Sequence, residues 1–242
     1  MQLLGLVLLV FVVAFGFADR PETTISAFDS HAFVTVMVGS LSAVMISSSA
    51  TTTLRTFACL RELIPGLGTL GRATESLEAD RKRVAELWLE GRRSQAVEVA
   101  EQGRHPALRR MVQLVLGRVP EEATRAAFTE LQHAEISRWQ PAIGNWELLA
   151  RLAPSFGMVG TITGMIQLFQ KMGEDKTSLG SALSLALLAT LYGVAFGAGV
   201  AGPIGHYLRN LLDERVGAVE RCEKTVGELI ARAGRDASMA GG

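Results

Sequence analysis

Surplus charge is the first thing this chain lacks, its 242 residues carrying 24 Lys and Arg against 24 Asp and Glu. No general attraction to nucleic acid or to acidic substrates is therefore implied. Cysteine is scarce too, with only Cys59 and Cys222, so neither a disulfide framework nor a metal site follows from it. No convincing alternation of apolar and polar residues appears, which argues against a sheet. A nucleophile constellation, a phosphate loop and a cluster of metal ligands are also missing. The sequence therefore reads as a protein that is not an enzyme and needs no cofactor or metal.

What is present is apolar length. Hydrophobic residues make up 48% of the chain and mean hydropathy is +0.26, both high for a soluble protein. They cluster in four runs, 2–18, 32–50, 152–170 and 179–206, each long enough to cross a bilayer core as helix. The first, QLLGLVLLVFVVAFGFA, has no basic residues before it, and a second apolar run follows after only DRPETTISAFDSH. It reads as a retained helix and not as a cleaved signal. Of the 24 basic residues, 14 fall between Arg55 and Arg138 and six between Arg209 and Arg235. The positive-inside rule places the middle segment and both termini in the cytoplasm. The expected fold is an all-α membrane protein with four transmembrane helices. Residues 1–52 hold the first two, 53–148 form a cytoplasmic helical domain, 149–206 hold the last two, and 207–242 form a cytoplasmic helix and tail.

The second span, HAFVTVMVGSLSAVMISSS, has Gly39, Ser40, Ser42 and Ala43 at its centre, small residues that let it pack closely on protein. From Thr51 the chain turns charged and helical. Leu77, Val84, Leu87 and Val97 lie among acids and bases, while Pro65, Gly66, Pro106 and Pro120 break the pattern into several short helices. Pro120 suits a first helical position, with Glu121 and Glu122 following in the first turn. Trp139 and Trp146 precede the third span, where indoles favour the membrane boundary or pack cytoplasmic helices together. Beyond Pro203, the spacing of Leu211, Leu212, Val216, Val219, Val226 and Leu229 gives an amphipathic helix.

The last two spans carry the chemistry. In the third, Pro154, Gly157, Thr161 and Gly164 recur at steps of three and four and share a face, with Gly160 and Gly164 as a GxxxG pair. Ala186, Thr190, Gly193 and Gly197 do the same in the fourth. Both threonines thus sit amid small side chains that admit a partner helix or a file of water. Three readings stand open for their hydroxyls: a bond back to the preceding turn, a bridge between helices, or oxygen supplied to an ion path. Neither 152–170 nor 179–205 contains an Asp, Glu, Lys, Arg or His. Proton relays across membranes need an ionisable group, so for proton transport that group has to come from another chain.

APSFGMVGTITGM followed by SALSLALLATLYG, with FDSHAFVTVMVGSLSAVMI in the second span, resembles the MotA/TolQ/ExbB family of ion-channel subunits, and within it the flagellar stator branch. The resemblance implies a pentamer around two copies of a MotB-like partner, whose single membrane helix brings the ion-carrying aspartate. Thr161 and Thr190 match threonines that face the path of the transported proton or sodium ion. Pro154 and Pro203 match prolines of the conformational cycle. Arg92, Arg93, Glu98 and Glu101 fall where charged residues of the cytoplasmic segment contact the flagellar rotor, though a solvated helical face accounts for them equally. Sodium-driven members have two adjacent threonines in the fourth span where this chain has Ala189 before Thr190, which favours protons. The implied function is a stator subunit that converts ion flow into torque. A second reading is the ExbB/TolQ role of powering an envelope system; those relatives usually have three spans and an N-terminus outside.

Overall fold

A computed structural model of the chain describes residues 30–64, 68–171 and 176–240. The first expected span, 2–18, and the breaks at Pro65 and Gly66 lie outside these residues. Among the described residues every regular element is a helix: α1 (Ser30–Ser47), α2 (Ala50–Ala58), a 3-10 turn (Cys59–Leu63), α3 (Leu70–Leu89), α4 (Arg93–Gln102), α5 (Pro106–Leu116), α6 (Glu121–Lys171), α7 (Lys176–Phe196), a π turn (Gly197–Ala201) and α8 (Gly202–Ala240). Two helical stretches, Glu121–Gln170 and Ala186–Ala233, are long and apolar enough to cross a membrane, and Ala32–Ser47 is a shorter apolar helix. The chain divides into two compact units. One joins the described residues up to Leu63 with Pro141–Leu208, and the other joins those of Ile64–Gln140 with Arg209–Gly242.

In the first unit, α1 is apolar on all sides and packs through its smallest residues. A methyl group on Gly39 would lie 2.5 Å from Phe156 Cδ1 of α6, so the aromatic ring rests on bare backbone. Phe33 meets Tyr192 of α7 edge to face at 6.1 Å. Ser40 is buried, and its hydroxyl donates to Val36 O at 2.7 Å, the local bond that makes a hydroxyl tolerable in an apolar helix. The helix stops at Ser47, three residues before the end of the expected span, because Ser49 caps the next helix by accepting from Thr52 N–H.

A polar clasp then ties α2 to α6. Ser48 Oγ donates to Asn145 Oδ1 at 2.6 Å, and Asn145 Nδ2 donates to Thr56 Oγ1 at 2.8 Å. Thr56 donates onward to Thr52 O at 2.9 Å, while Trp146 Nε1 donates to Thr56 O at 2.9 Å. Asn145 and Trp146 are 5% and 4% exposed. Of the two places sequence allowed for Trp146, packing between helices is the one observed.

The second unit is built on one apolar core. Leu77 and Val84 of α3, Ala96 and Ala100 of α4, Leu108, Met111 and Val112 of α5, Phe128 of α6, and Val219, Cys222 and Val226 of α8 are all buried in it. Burial pushes the Cys222 thiol up to about 12, so it behaves as a small apolar side chain. The α3 to α4 turn needs its glycine. Gly91 has φ +79°, and the bonds Gly91 N to Trp88 O and Arg92 N to Leu87 O close α3 in the paired pattern of a Schellman ending. The same pattern closes α5, with Arg118 N to Val115 O and Val119 N to Leu114 O, but here the left-handed position is Arg118 at φ 47°. Pro106 stands at the first turn of α5, capped by His105, whose Nδ1 accepts from Ala107 N–H at 3.2 Å. α6 starts at Glu121, one residue later than expected, with Pro120 supplying the carbonyl that accepts from Thr124 N–H.

His105 also reaches a charged cluster at the edge of this core. Its Nε2 lies 3.3 Å from Glu135 Oε1, and Arg215 grips the same carboxylate with Nε to Oε2 at 2.8 Å and Nη2 to Oε1 at 3.1 Å. Burial alone would raise the Glu135 carboxyl; the His105 ring and the Arg215 fork outweigh it and push it down to about 2. A depressed carboxyl stabilises the fold above its unfolded value, and that contribution is lost as pH falls toward the folded one. The loss expected between about pH 5 and pH 2 is on the order of 3 kcal/mol. Acid unfolding followed by circular dichroism should show it, and Glu135→Gln should flatten the profile in that window. Arg118→Gly should raise the melting temperature by a few degrees. It removes a left-handed cost of roughly 1–2 kcal/mol against a backbone-entropy cost of about 0.5–1 kcal/mol.

Candidate functional site: the threonine pair of α6 and α7

The two threonine faces that sequence picked out meet each other. Glycine makes this contact, because Gly157 and Gly193 lie against backbone of the opposite helix. A methyl on Gly157 would lie 2.9 Å from Ala189 O and 3.2 Å from Thr190 Cα. One on Gly193 would lie 2.6 Å from Ala153 O and 3.0 Å from Gly157 Cα. Farther along, Gly160 faces Ala189 Cβ and Gly164 faces Ala186 Cβ, at 2.5 and 2.8 Å from the methyls they lack. There is no room for a file of water between these helices; backbone fills the space that the small residues open.

Thr161 and Thr190 sit in this seam, both half-exposed. Thr161 Oγ1 lies 3.1 Å from Gly157 O in its own helix and 3.1 Å from Ala186 O across the seam, and it is hydrogen-bonded to Thr190 Oγ1. One hydroxyl has one proton, so with that proton on either carbonyl, Thr161 accepts from Thr190. The local bond and the interhelical bridge, two of the readings left open by sequence, thus coexist in one group of four oxygens. Among the described residues Thr163 bonds within its own helix, to Val159 O at 2.8 Å and Gly160 O at 3.0 Å.

Ala189 is placed differently from its neighbour. It is 1% exposed and packs with Ala32 of α1 and Leu188. A second hydroxyl there would enter the contact with Gly160 and not join Thr161 and Thr190 on the half-exposed face.

The two prolines are connected through one glycine. Pro154 has no N–H for Ala150 O, and Gly197 covers both that carbonyl and the ring: a methyl there would lie 2.7 Å from Ala150 O and 2.6 Å from Pro154 Cδ. Gly197 also opens the π turn, in which Gly202 N–H bonds to Gly197 O, five residues back. Pro203 follows directly and removes the next donor, so the wider turn takes up the ladder that proline interrupts. The charged residues matched to a rotor contact lie in the second unit and are all exposed. Arg92 pairs with Glu90 at 3.3 Å, Arg93 stacks over Trp88 at 5.6 Å, Glu98 accepts from Gln102 at 3.1 Å, and Glu101 lies on the same helix. Sequence reasoning missed Asn145 and the His105, Glu135 and Arg215 cluster. Its one pointer to the first was an amide beside a tryptophan.

Glycine-seamed apolar segments holding paired hydroxyls, with no charged residue in 152–170 or 179–205, define a helical membrane protein. Residues 99–221 match the model of the MotA/TolQ/ExbB proton channel family, and the chain belongs to that family. It is similar to Motility protein A of Borreliella burgdorferi, 31% identical over 169 residues, 68% of this chain and 61% of that one. Motility protein A of Aquifex aeolicus is 39% identical over 71 residues, 29% of this chain and 28% of the relative. These alignments therefore span less than two thirds of either relative's length. The fold is similar to that of one chain in the solved structure of the flagellar MotAB stator complex from Bacillus subtilis, with a TM-score of 0.71 and 21% identity over 94% of this chain and 88% of that chain.

Gly193→Ala should part the seam, because its methyl meets backbone and not a flexible side chain. The expected cost is about 1–3 kcal/mol, read as a lower melting temperature of the detergent-solubilised protein. Gly144→Ala is the comparison. Its methyl meets nothing within 4 Å, and it should leave stability unchanged or raise it by up to about 1 kcal/mol.

Proposed function

We propose that this chain is the stator subunit of an ion-driven rotary motor that turns a bacterial flagellum. The observation that carries the reading is the hydrogen-bonded Thr161 and Thr190 pair, half-exposed on two helices without an ionisable group in their apolar cores. Hydroxyls pass a proton along a hydrogen-bonded chain but do not hold it at neutral pH. The titrating carboxylate is then an aspartate on the single membrane helix of a MotB-like partner, two copies of which stand inside a pentamer of this chain. The proton is the ion of choice, since the pair forms the relay a proton needs and the family is named for proton channels. Pro154, Gly197 and Pro203 flank the pair at the point where α7 widens into a π turn, which supports the role of the prolines in the conformational cycle. The chain would lie in the inner membrane with both termini cytoplasmic, and Arg92, Arg93, Glu98 and Glu101 would act on the rotor.

Thr190→Val keeps the volume and removes the hydroxyl. With the partner co-expressed, it should strongly reduce motility and proton flux while membrane assembly persists, whereas Thr190→Ser should retain most of both. Normal flux and motility in Thr190→Val would reduce the hydroxyl to packing and remove the support for this reading.

A further inference from the structure

The second unit carries two grooves of opposite charge on opposite flanks of α8. One, of about 850 Å³, runs between the start of α6 and the C-terminal half of α8. Glu121, Glu220, Glu223 and Glu228 line it against only Arg125 and Lys224. Both cations are engaged, Arg125 with Glu121 at 3.2 Å and Glu223 at 3.8 Å, and Lys224 with Glu220 at 2.9 Å. Negative charge is therefore left over, and Glu228 has no ion pair among the described residues. Gly227 in the same wall would meet nothing within 4 Å if it carried a methyl, so another chain can approach the helix backbone there. Thr124, 4% exposed, also lines the groove, and its hydroxyl has no hydrogen-bond partner among the described residues.

The other groove, of about 900 Å³, lies between α3, the end of α4 and the start of α5. Arg72, Arg83, Arg104 and Arg215 line it against Asp80. Arg215 is held by Glu135 and Arg72 Nε by Gly68 O at 2.7 Å. Arg83 and Arg104 are exposed and form no ion pair among the described residues. Arg215 and Lys224 are nine residues apart, roughly 180° around a helix at 100° per residue, so the two grooves face away from each other.

Two patches of opposite sign on opposite flanks of one helix cannot satisfy each other within a chain. Nor do they suit a two-fold dimer that sets one patch against its own copy, since like charges would then meet. They suit a head-to-tail contact repeated around a ring. We propose that the partner of the acidic groove is the basic groove of a second copy of this chain, so that neighbouring cytoplasmic units bind head to tail, with Glu220 and Glu228 of one facing Arg83 and Arg104 of the next. The proposal rests on the reading of this chain as a ring-forming stator subunit and adds to it the contact that links neighbours outside the membrane.

Cysteine cross-linking in membranes containing the full-length chain and its co-expressed partner tests it. Arg83→Cys combined with Glu228→Cys should give, on oxidation, a ladder of covalent oligomers, while either substitution alone should give none. In that cysteine pair, charge reversal of the remaining basic residue, Arg104→Glu, should sharply reduce the ladder, and adding Glu220→Arg should restore it. The mass of the detergent-solubilised complex separates the two ideas. A ring-sized complex without a ladder overturns this contact and leaves the stator reading intact, whereas a monomeric mass overturns both. Cross-links that join these cysteines only to a different polypeptide also overturn it.

Discussion

The contact of α6 with α7 through bare backbone is the constraint on which the membrane unit depends. Inside a bilayer, helices gain nothing by hiding apolar surface from one another, and dispersion at close range has to hold them. Gly157 and Gly193 bring that range down to backbone against backbone. The threonine pair is a consequence. Only because the axes come this close can Thr161 reach Ala186 O and Thr190 across the seam as well as Gly157 O in its own helix. Chemistry and packing therefore stand or fall together here, and a substitution that widens the seam loses both.

Two helix-breaking residues border this seam, and neither breaks its helix. Pro154 offers no N–H to Ala150 O, and glycine at 197 lets the opposite helix lie over that carbonyl and over the ring. Pro203 is accommodated by a different device, a π turn whose last bond reaches back five residues. A missing hydrogen bond is tolerable in a membrane only where protein covers the exposed group. The glycine against Pro154 and the widened turn before Pro203 are two solutions to that requirement, and Gly197 belongs to both.

Spacing at steps of three and four made the two threonine faces legible in sequence, and the all-α class followed from the apolar runs. What spacing could not show is that the two faces meet each other. A row of small residues announces a close approach but not its partner. Ala189 illustrates the limit: one position from Thr190, it turns about 100° around the helix into the contact with Ala32 and Gly160. Asn145 and Thr56 are far apart in the chain, and so are His105, Glu135 and Arg215, so no local pattern links them. The continuous α6 was obscured by Pro141 and Pro154, whose usual local meaning is a break. Family resemblance supplied the roles of Thr161, Thr190 and the prolines; charge counting alone supplied the need for a carboxylate from elsewhere.

The clasp at Asn145 has a further consequence. Its amide oxygen and nitrogen each serve a different residue, and Thr56 accepts from Asn145 and Trp146 while donating to Thr52. Thr56, Asn145 and Trp146 are buried, so loosening a bond among them strands a polar atom where water scarcely reaches. The junction between α1 and α2 is thus fastened to α6 by buried polar bonds, and loosening it costs the desolvation of each group left unpaired.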